Sequence, residues 1–142
     1  MSVIIGLFIA SILFLISCIH IYWLFGGRWG ITGAIPTKDG KPLFAPNPGT
    51  TIFVAFALLA AALLILGRIG YLVNIFIPNS FFYYGVWGLT VIFFIRSIGD
   101  FKYVGFFKKI KDSKFAYCDT RLHSPICLLI SISSLIINLA TR

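Results

Sequence analysis

Six side chains in this sequence have the type and placement to do chemistry: His20, Arg96, Asp100, Asp119, Arg121 and His123. An arginine presents a planar, permanently charged fork of donors that suits a carboxylate or a phosphate. A histidine changes charge near neutral pH and can pass a proton. The chemistry these residues suggest is the holding of an anionic group. Arg96 is its main donor, with Arg28 or Arg121 beside it. Asp100 and Asp119 would orient the arginines, and Trp23 and Trp29 would line the apolar part. Arg96 and Asp100 stand at i and i+4, so on a helix they share a face and can pair, although arginine before aspartate is the weaker order against the helix dipole. In the plainer reading, Arg96 stretches to the membrane interface and Asp100 neutralises it. His20 has a plainer reading as well, a hydrogen bond to a backbone carbonyl of a neighbouring helix.

Signatures of an enzyme are missing. The chain has four aspartates and no glutamate, and two histidines. It has no His-Glu-x-x-His, no Gly-x-Ser-x-Gly and no phosphate-binding glycine loop. A haem between His20 and His123 would have no attachment motif, so no cofactor is expected. The three cysteines, Cys18, Cys118 and Cys127, are odd in number and widely spaced. That argues against a disulfide framework, and no metal site is expected either.

The elements that must position these groups are four apolar stretches. The chain of 142 residues is 59% hydrophobic and 11% charged, with a mean hydropathy of +0.99. A water-soluble domain needs far more charged surface than that. The expected fold is all-α: a single domain of four transmembrane helices, about 3–25, 50–67, 81–101 and 125–140. The first stretch is too long for a signal peptide and lacks a basic residue before it, so it reads as a retained helix. The net charge of +8 does not imply nucleic acid, because the basic residues flank the apolar stretches, where topology and anionic lipid account for them.

Arg28, Lys38 and Lys41 lie between the first two stretches. Lys102, Lys108, Lys109, Lys111, Lys114 and Arg121 lie between the last two. Only Arg68 and Arg142 fall on the opposite side. The positive-inside bias then puts both basic loops in the cytoplasm and both termini outside. The first stretch stops at Gly26-Gly27, Asn47-Pro48 or Thr50-Thr51 starts the second, and Ser124-Pro125 opens the fourth as N-cap and first-turn proline. Ala60-Ala61-Ala62 marks a close helix–helix seam, which would also allow a homo-oligomer. Leu43-Phe44-Ala45 is apolar enough to dip into the interface. Residues 70–80 form an outer loop broken by Asn74, Pro78 and Asn79. The loop 102–119 mixes lysines with Phe106, Phe107, Phe115 and Tyr117, a pattern expected of a short helix lying on the membrane.

A set of motifs also marks a family. His20-x-Tyr22-Trp23-x-x-Gly26-Gly27-x-Trp29-Gly30 is followed by Pro36 and by Gly67-Arg68. Then come Arg96-x-x-Gly99-Asp100-Phe101-x-Tyr103-Val104-Gly105-Phe106-Phe107-Lys108 and Asp119-Thr120-Arg121-x-x-Ser124-Pro125. The chain thereby resembles a family of small bacterial four-helix membrane proteins known only as a domain of unknown function. The resemblance covers almost the whole chain. It implies a four-helix fold and a bacterial inner-membrane location, and it implies no activity. The leading expectation is a site on the cytoplasmic face that binds an amphipathic or anionic small molecule, or the headgroup of a membrane lipid. The alternatives are a small oligomeric transporter component, a membrane enzyme using His20 and Asp100 as acid and base, or an accessory subunit whose polar residues only fix helix packing.

Overall fold

The computed structural model describes residues 1–39, 41–43, 47–72 and 77–141. Phe44, Ala45, Asn74 and Arg142 lie outside the described residues, and with them the expected interfacial dip and much of the outer loop. Among the described residues, four helical spans are long and apolar enough to cross a membrane. They comprise α1 (Ser2–Leu24), α3 (Pro48–Arg68), α4 (Asn79–Ile98) and a composite last span. The last span joins α5 (Lys114–Cys118), a π-turn (Asp119–His123) and α6 (Ser124–Ala140). Between α1 and α3 lie the short helix α2 (Ile31–Ala34) and a small hairpin of β1 (Thr37–Lys38) and β2 (Lys41–Pro42).

The helices begin and end for local reasons. Past the end of α1, Gly26 takes φ +89°, and the amides of Gly26 and Gly27 return to the carbonyls of Trp23 and Tyr22. This is the glycine stop expected of the sequence. α3 starts on Asn47, whose side chain accepts the Gly49 amide at 2.9 Å, with Pro48 in the first turn. α4 ends at Ile98, three residues earlier than expected, because Gly99 turns to φ +86°.

α1 packs mainly on α3, and α4 on α6. Ile9, Leu13, Ala62, Ile65, Val86, Leu89, Ile130 and Ile137 form the shared core. Ala61 and Ala62 are buried within it. Phe8, Phe53, Phe56, Ile92 and Leu139 point outward, as lipid-facing side chains must when hydrocarbon replaces water. Buried serines tie the pairs together. Ser17 Oγ donates to the Ala55 carbonyl at 2.7 Å, and Ser131 Oγ to the Thr90 carbonyl at 2.8 Å. Such bonds contribute about 1 kcal/mol each inside a membrane.

Ser131 meets Thr90, and Asn138 donates to the Tyr83 carbonyl at 3.0 Å. Extending this antiparallel register brings Ile98 level with about His123. With 20 residues at ~1.5 Å each, α4 matches a hydrocarbon core of ~30 Å. The last span has 27 residues, so its first two turns project beyond the level where α4 stops. Ser124-Pro125 is therefore not a helix start. The chain is already helical there, and the Ser124 amide donates to the Asp119 carbonyl, five residues back. The wider π-turn accommodates a proline that would clash with the preceding turn of a regular helix.

The loop after α4 is folded tightly on itself. Gly105 has φ +90°. A Cβ there would sit 2.1 Å from the Ile98 carbonyl oxygen, and one on Gly99 would sit 1.8 Å from that of Val104. A Cβ on Gly26, by contrast, would meet nothing within 4 Å. Gly26→Ala should therefore lose only the left-handed strain of about 1–2 kcal/mol. Gly105→Ala should lose clearly more, read as a larger drop in Tm in the same detergent. Equal drops would show that this loop is not closed as described.

Candidate functional site: a buried carboxylate at the basic end

Asp119, in the π-turn, is wholly buried. Its Oδ2 accepts from the Gly105 amide at 2.7 Å, from Lys108 Nζ at 2.9 Å and from Ser124 Oγ at 3.3 Å. Its Oδ1 accepts from Arg96 Nη2 at 3.1 Å, and His123 Nδ1 lies 3.9 Å from it. A carboxylate in so dry a place costs several kcal/mol unless it is paired and hydrogen-bonded, and here both conditions are met.

Lys108 is equally enclosed, with its side chain 1% exposed. Its ammonium has three donors, and all three are used: on the Gly105 carbonyl at 3.0 Å, on Asp119, and on Thr120 Oγ1 at 2.6 Å. Lys108 therefore neutralises Asp119 from within. Arg96 differs, because its side chain is 37% exposed. It gives Nη2 to the acid, while its Nη1 is buried without a partner among the described residues. One carboxylate faces both an ammonium and a guanidinium, so the cluster carries more basic groups than acidic ones, and the partly open member is Arg96.

The loop 99–113 delivers Gly105 and Lys108 to the acid, and Asp100 shapes that loop. Its Oδ1 accepts from the amides of Lys102, Tyr103 and Val104 at 3.0, 2.8 and 2.9 Å. The Phe106 amide returns to the Ser97 carbonyl, and those of Lys109 and Ile110 to Phe101 and Lys102. Slight burial works to raise the Asp100 pKa. The amides of Val104, Tyr103 and Lys102 outweigh it and hold the carboxyl below its ordinary value. The folded pKa is depressed, so the contribution of Asp100 to stability is present above the ordinary carboxylate pKa. It fades as pH falls through the lower folded value.

The structure brings together Arg96, Asp119 and His123 from the expected set. It corrects the pairing of Arg96 with Asp100: α4 ends before Asp100, whose carboxylate turns into the loop, and Arg96 reaches Asp119 instead. His20 Nδ1 donates to the carbonyl of Ile16 in its own helix (2.8 Å), not in a neighbour, and its ring lies 4.9 Å from that of Trp23. No hydrogen bond among the described residues joins His20 to Asp100. Trp23 Nε1 donates to the Trp29 carbonyl at 2.8 Å. Trp29 borders an open apolar groove of about 480 Å³ with Leu15, Cys18, Ile19 and Tyr22. Arg28 is exposed. Arg121 points outward, 4.7 Å above the Tyr117 ring, so Asp119 does not orient it.

Lys108, Gly105, Thr120 and Ser124 were not expected at the site. Nothing local separates Lys108, which is buried, from Lys109, which is exposed. The Gly99–Gly105 spacing was the available signal, since it closes the loop that turns Lys108 inward. A second polar cluster lies at the other end of the bundle. Arg68, 6% exposed, donates to Asn138 Oδ1 at 2.8 Å and to the Thr141 carbonyl, and lies 5.4 Å from the centre of the Tyr83 ring.

Four apolar spans among the described residues, with polar clusters at their ends, define a multi-pass helical membrane protein. A family described as "Protein of unknown function (DUF3995)" matches residues 13–134, and the chain belongs to that family. No curated protein and no solved structure matches it.

Removing one member of a buried pair leaves the other uncompensated, at about 3–5 kcal/mol. Asp119→Asn should lower stability by an amount in that range, measured by unfolding in detergent. Adding Lys108→Met should recover part of the loss. A double variant as weak as the sum of its parts would show that the two residues are not paired.

Proposed function

We propose that the protein binds an anionic small amphipathic molecule, or a lipid headgroup, at the Arg96 end of the bundle. The observation that carries this reading is the spare edge of Arg96. Lys108 already compensates Asp119, so the guanidinium is not needed for neutrality. Among the described residues its buried Nη1 has no partner, while the rest of the side chain stays partly open. A guanidinium at the border of the hydrocarbon can grip a carboxylate or phosphate there. His123, on the same side of Asp119, adds a ring whose charge depends on pH. The π-turn lends support, since such turns are frequent at functional sites. The groove beside Trp29 offers apolar surface at the same end.

We place the molecule in a bacterial inner membrane with its basic loops in the cytoplasm and both termini outside. The distribution of lysine and arginine supports this. In intact cells, a membrane-impermeant thiol reagent should label Ser2→Cys and spare Lys109→Cys until the membrane is opened. The reverse order would overturn the topology.

A second reading, an accessory or structural subunit, draws support from the saturation of Asp119 Oδ2 and Lys108. A transporter would need an oligomer, and Ala61 and Ala62 are already buried within one chain. To separate binding from packing, wild type and Arg96→Gln are purified in mild detergent and their bound molecules identified by native mass spectrometry. An acidic amphiphile should be retained by wild type. In Arg96→Gln its occupancy should fall about tenfold, the effect of losing a hydrogen bond to a charged group. If both proteins carry the same molecules, or none, the reading fails and packing is favoured.

A further inference from the structure

Beyond the Arg96 site, the loop 99–113 and the first turns of the last span form a second surface. We propose that this surface is a dock for the anionic phospholipid headgroups of the surrounding membrane.

Depth is the first argument. α4 spans about the hydrocarbon thickness and ends at Ile98. The helix register places Ile98 level with about His123, so the loop and Lys114–Arg121 lie just past the hydrocarbon edge. That is the headgroup layer.

Composition is the second. Lys102, Lys109, Lys111, Lys114 and Arg121 are all exposed there. Of the exposed acids, Asp112 opposes them, while one oxygen of Asp100 is engaged by three backbone amides. The surface is strongly positive, and lysines close to an anionic leaflet each add to the attraction.

Shape is the third. Large rings are exposed among these cations: Phe101 at 58%, Phe107 at 65% and Tyr117 at 58%. The Phe101 and Phe107 rings stand 6.4 Å apart. Lys102 lies 5.2 Å over Tyr103, and Arg121 lies over Tyr117. Rings that insert below the phosphates, with cations at their level, are the arrangement of an interfacial anchor. The surface is also built in advance. Asp100, the Gly99–Gly105 crossing and the buried Lys108 fix the loop, so little ordering is needed on contact.

The test uses the full chain in nanodiscs of neutral phosphatidylcholine, and in nanodiscs with one quarter phosphatidylglycerol. The proteins are wild type, Lys102→Gln/Lys109→Gln/Lys111→Gln and Arg96→Gln. These three lysines are exposed, so the triple variant should match wild type in Tm in neutral lipid. Wild type should have the higher Tm in the anionic disc, with the gain shrinking as salt is added. The triple variant should lose that gain and retain at least about tenfold less phosphatidylglycerol by native mass spectrometry. Arg96→Gln should keep the salt-sensitive gain in Tm, whatever single headgroup its own site gives up, which separates this surface from the Arg96 site. An equal anionic gain in wild type and triple variant overturns the proposal, and so does no gain in wild type. A gain lost only in Arg96→Gln would assign the lipid to the Arg96 site and overturn the proposal too.

Discussion

The basic end of this protein is organised around one buried ion pair, Asp119 with Lys108. A carboxylate in the turn of a membrane helix must be neutralised, and nothing within its own helix does so. The solution comes from the preceding loop, which folds back to place an ammonium and a backbone amide on one carboxylate oxygen. Every other feature of that end follows. The glycines let the loop close, Asp100 holds its curve, and Ser124 and Arg96 fill the remaining positions around the acid. Because Lys108 takes over neutralisation, Arg96 is left with charge and donors to spare.

The two ends of the bundle use different chemistry for one physical problem. At the basic end, an acid is surrounded by cations. At the other end, Arg68 is buried against amide and carbonyl oxygens of α6 and the face of Tyr83. Between them the core is apolar, with single serine bonds linking α1 to α3 and α6 to α4. In hydrocarbon, apolar side chains gain little by leaving lipid for each other, so polar ties and close packing of small residues decide which helices pair.

The spans were legible in the sequence because hydropathy is a local property, and the membrane enforces it residue by residue. The stop at Gly26-Gly27 was legible for the same reason, since capping depends on neighbours in the chain, and of the two starts the sequence offered, Asn47-Pro48 and Thr50-Thr51, the helix uses the first. The junction of the last two spans was not. Asp100 at i+4 from Arg96 predicts a pair only if the helix continues, and Gly99 ends it. Ser124-Pro125 fits the pattern of a helix start, yet it lies inside a helix that a π-turn has widened. Across that turn, the faces of Lys114–Cys118 and Ser124–Ala140 fall out of step, so no single helical period describes both. The partnership of Lys108 with Asp119 is a tertiary fact that no local pattern signals. Arg96, Asp119 and His123 were found as individual residues, and their arrangement was not.

Chain order gives the ion pair a meaning in biosynthesis. Lys108 precedes Asp119 by eleven residues and leaves the ribosome first. Until the last span is made, the ammonium lacks the buried acid it pairs with. The acid in turn cannot enter its dry position without the lysine. Burial of Lys108 against Asp119 therefore requires the last span to be in place.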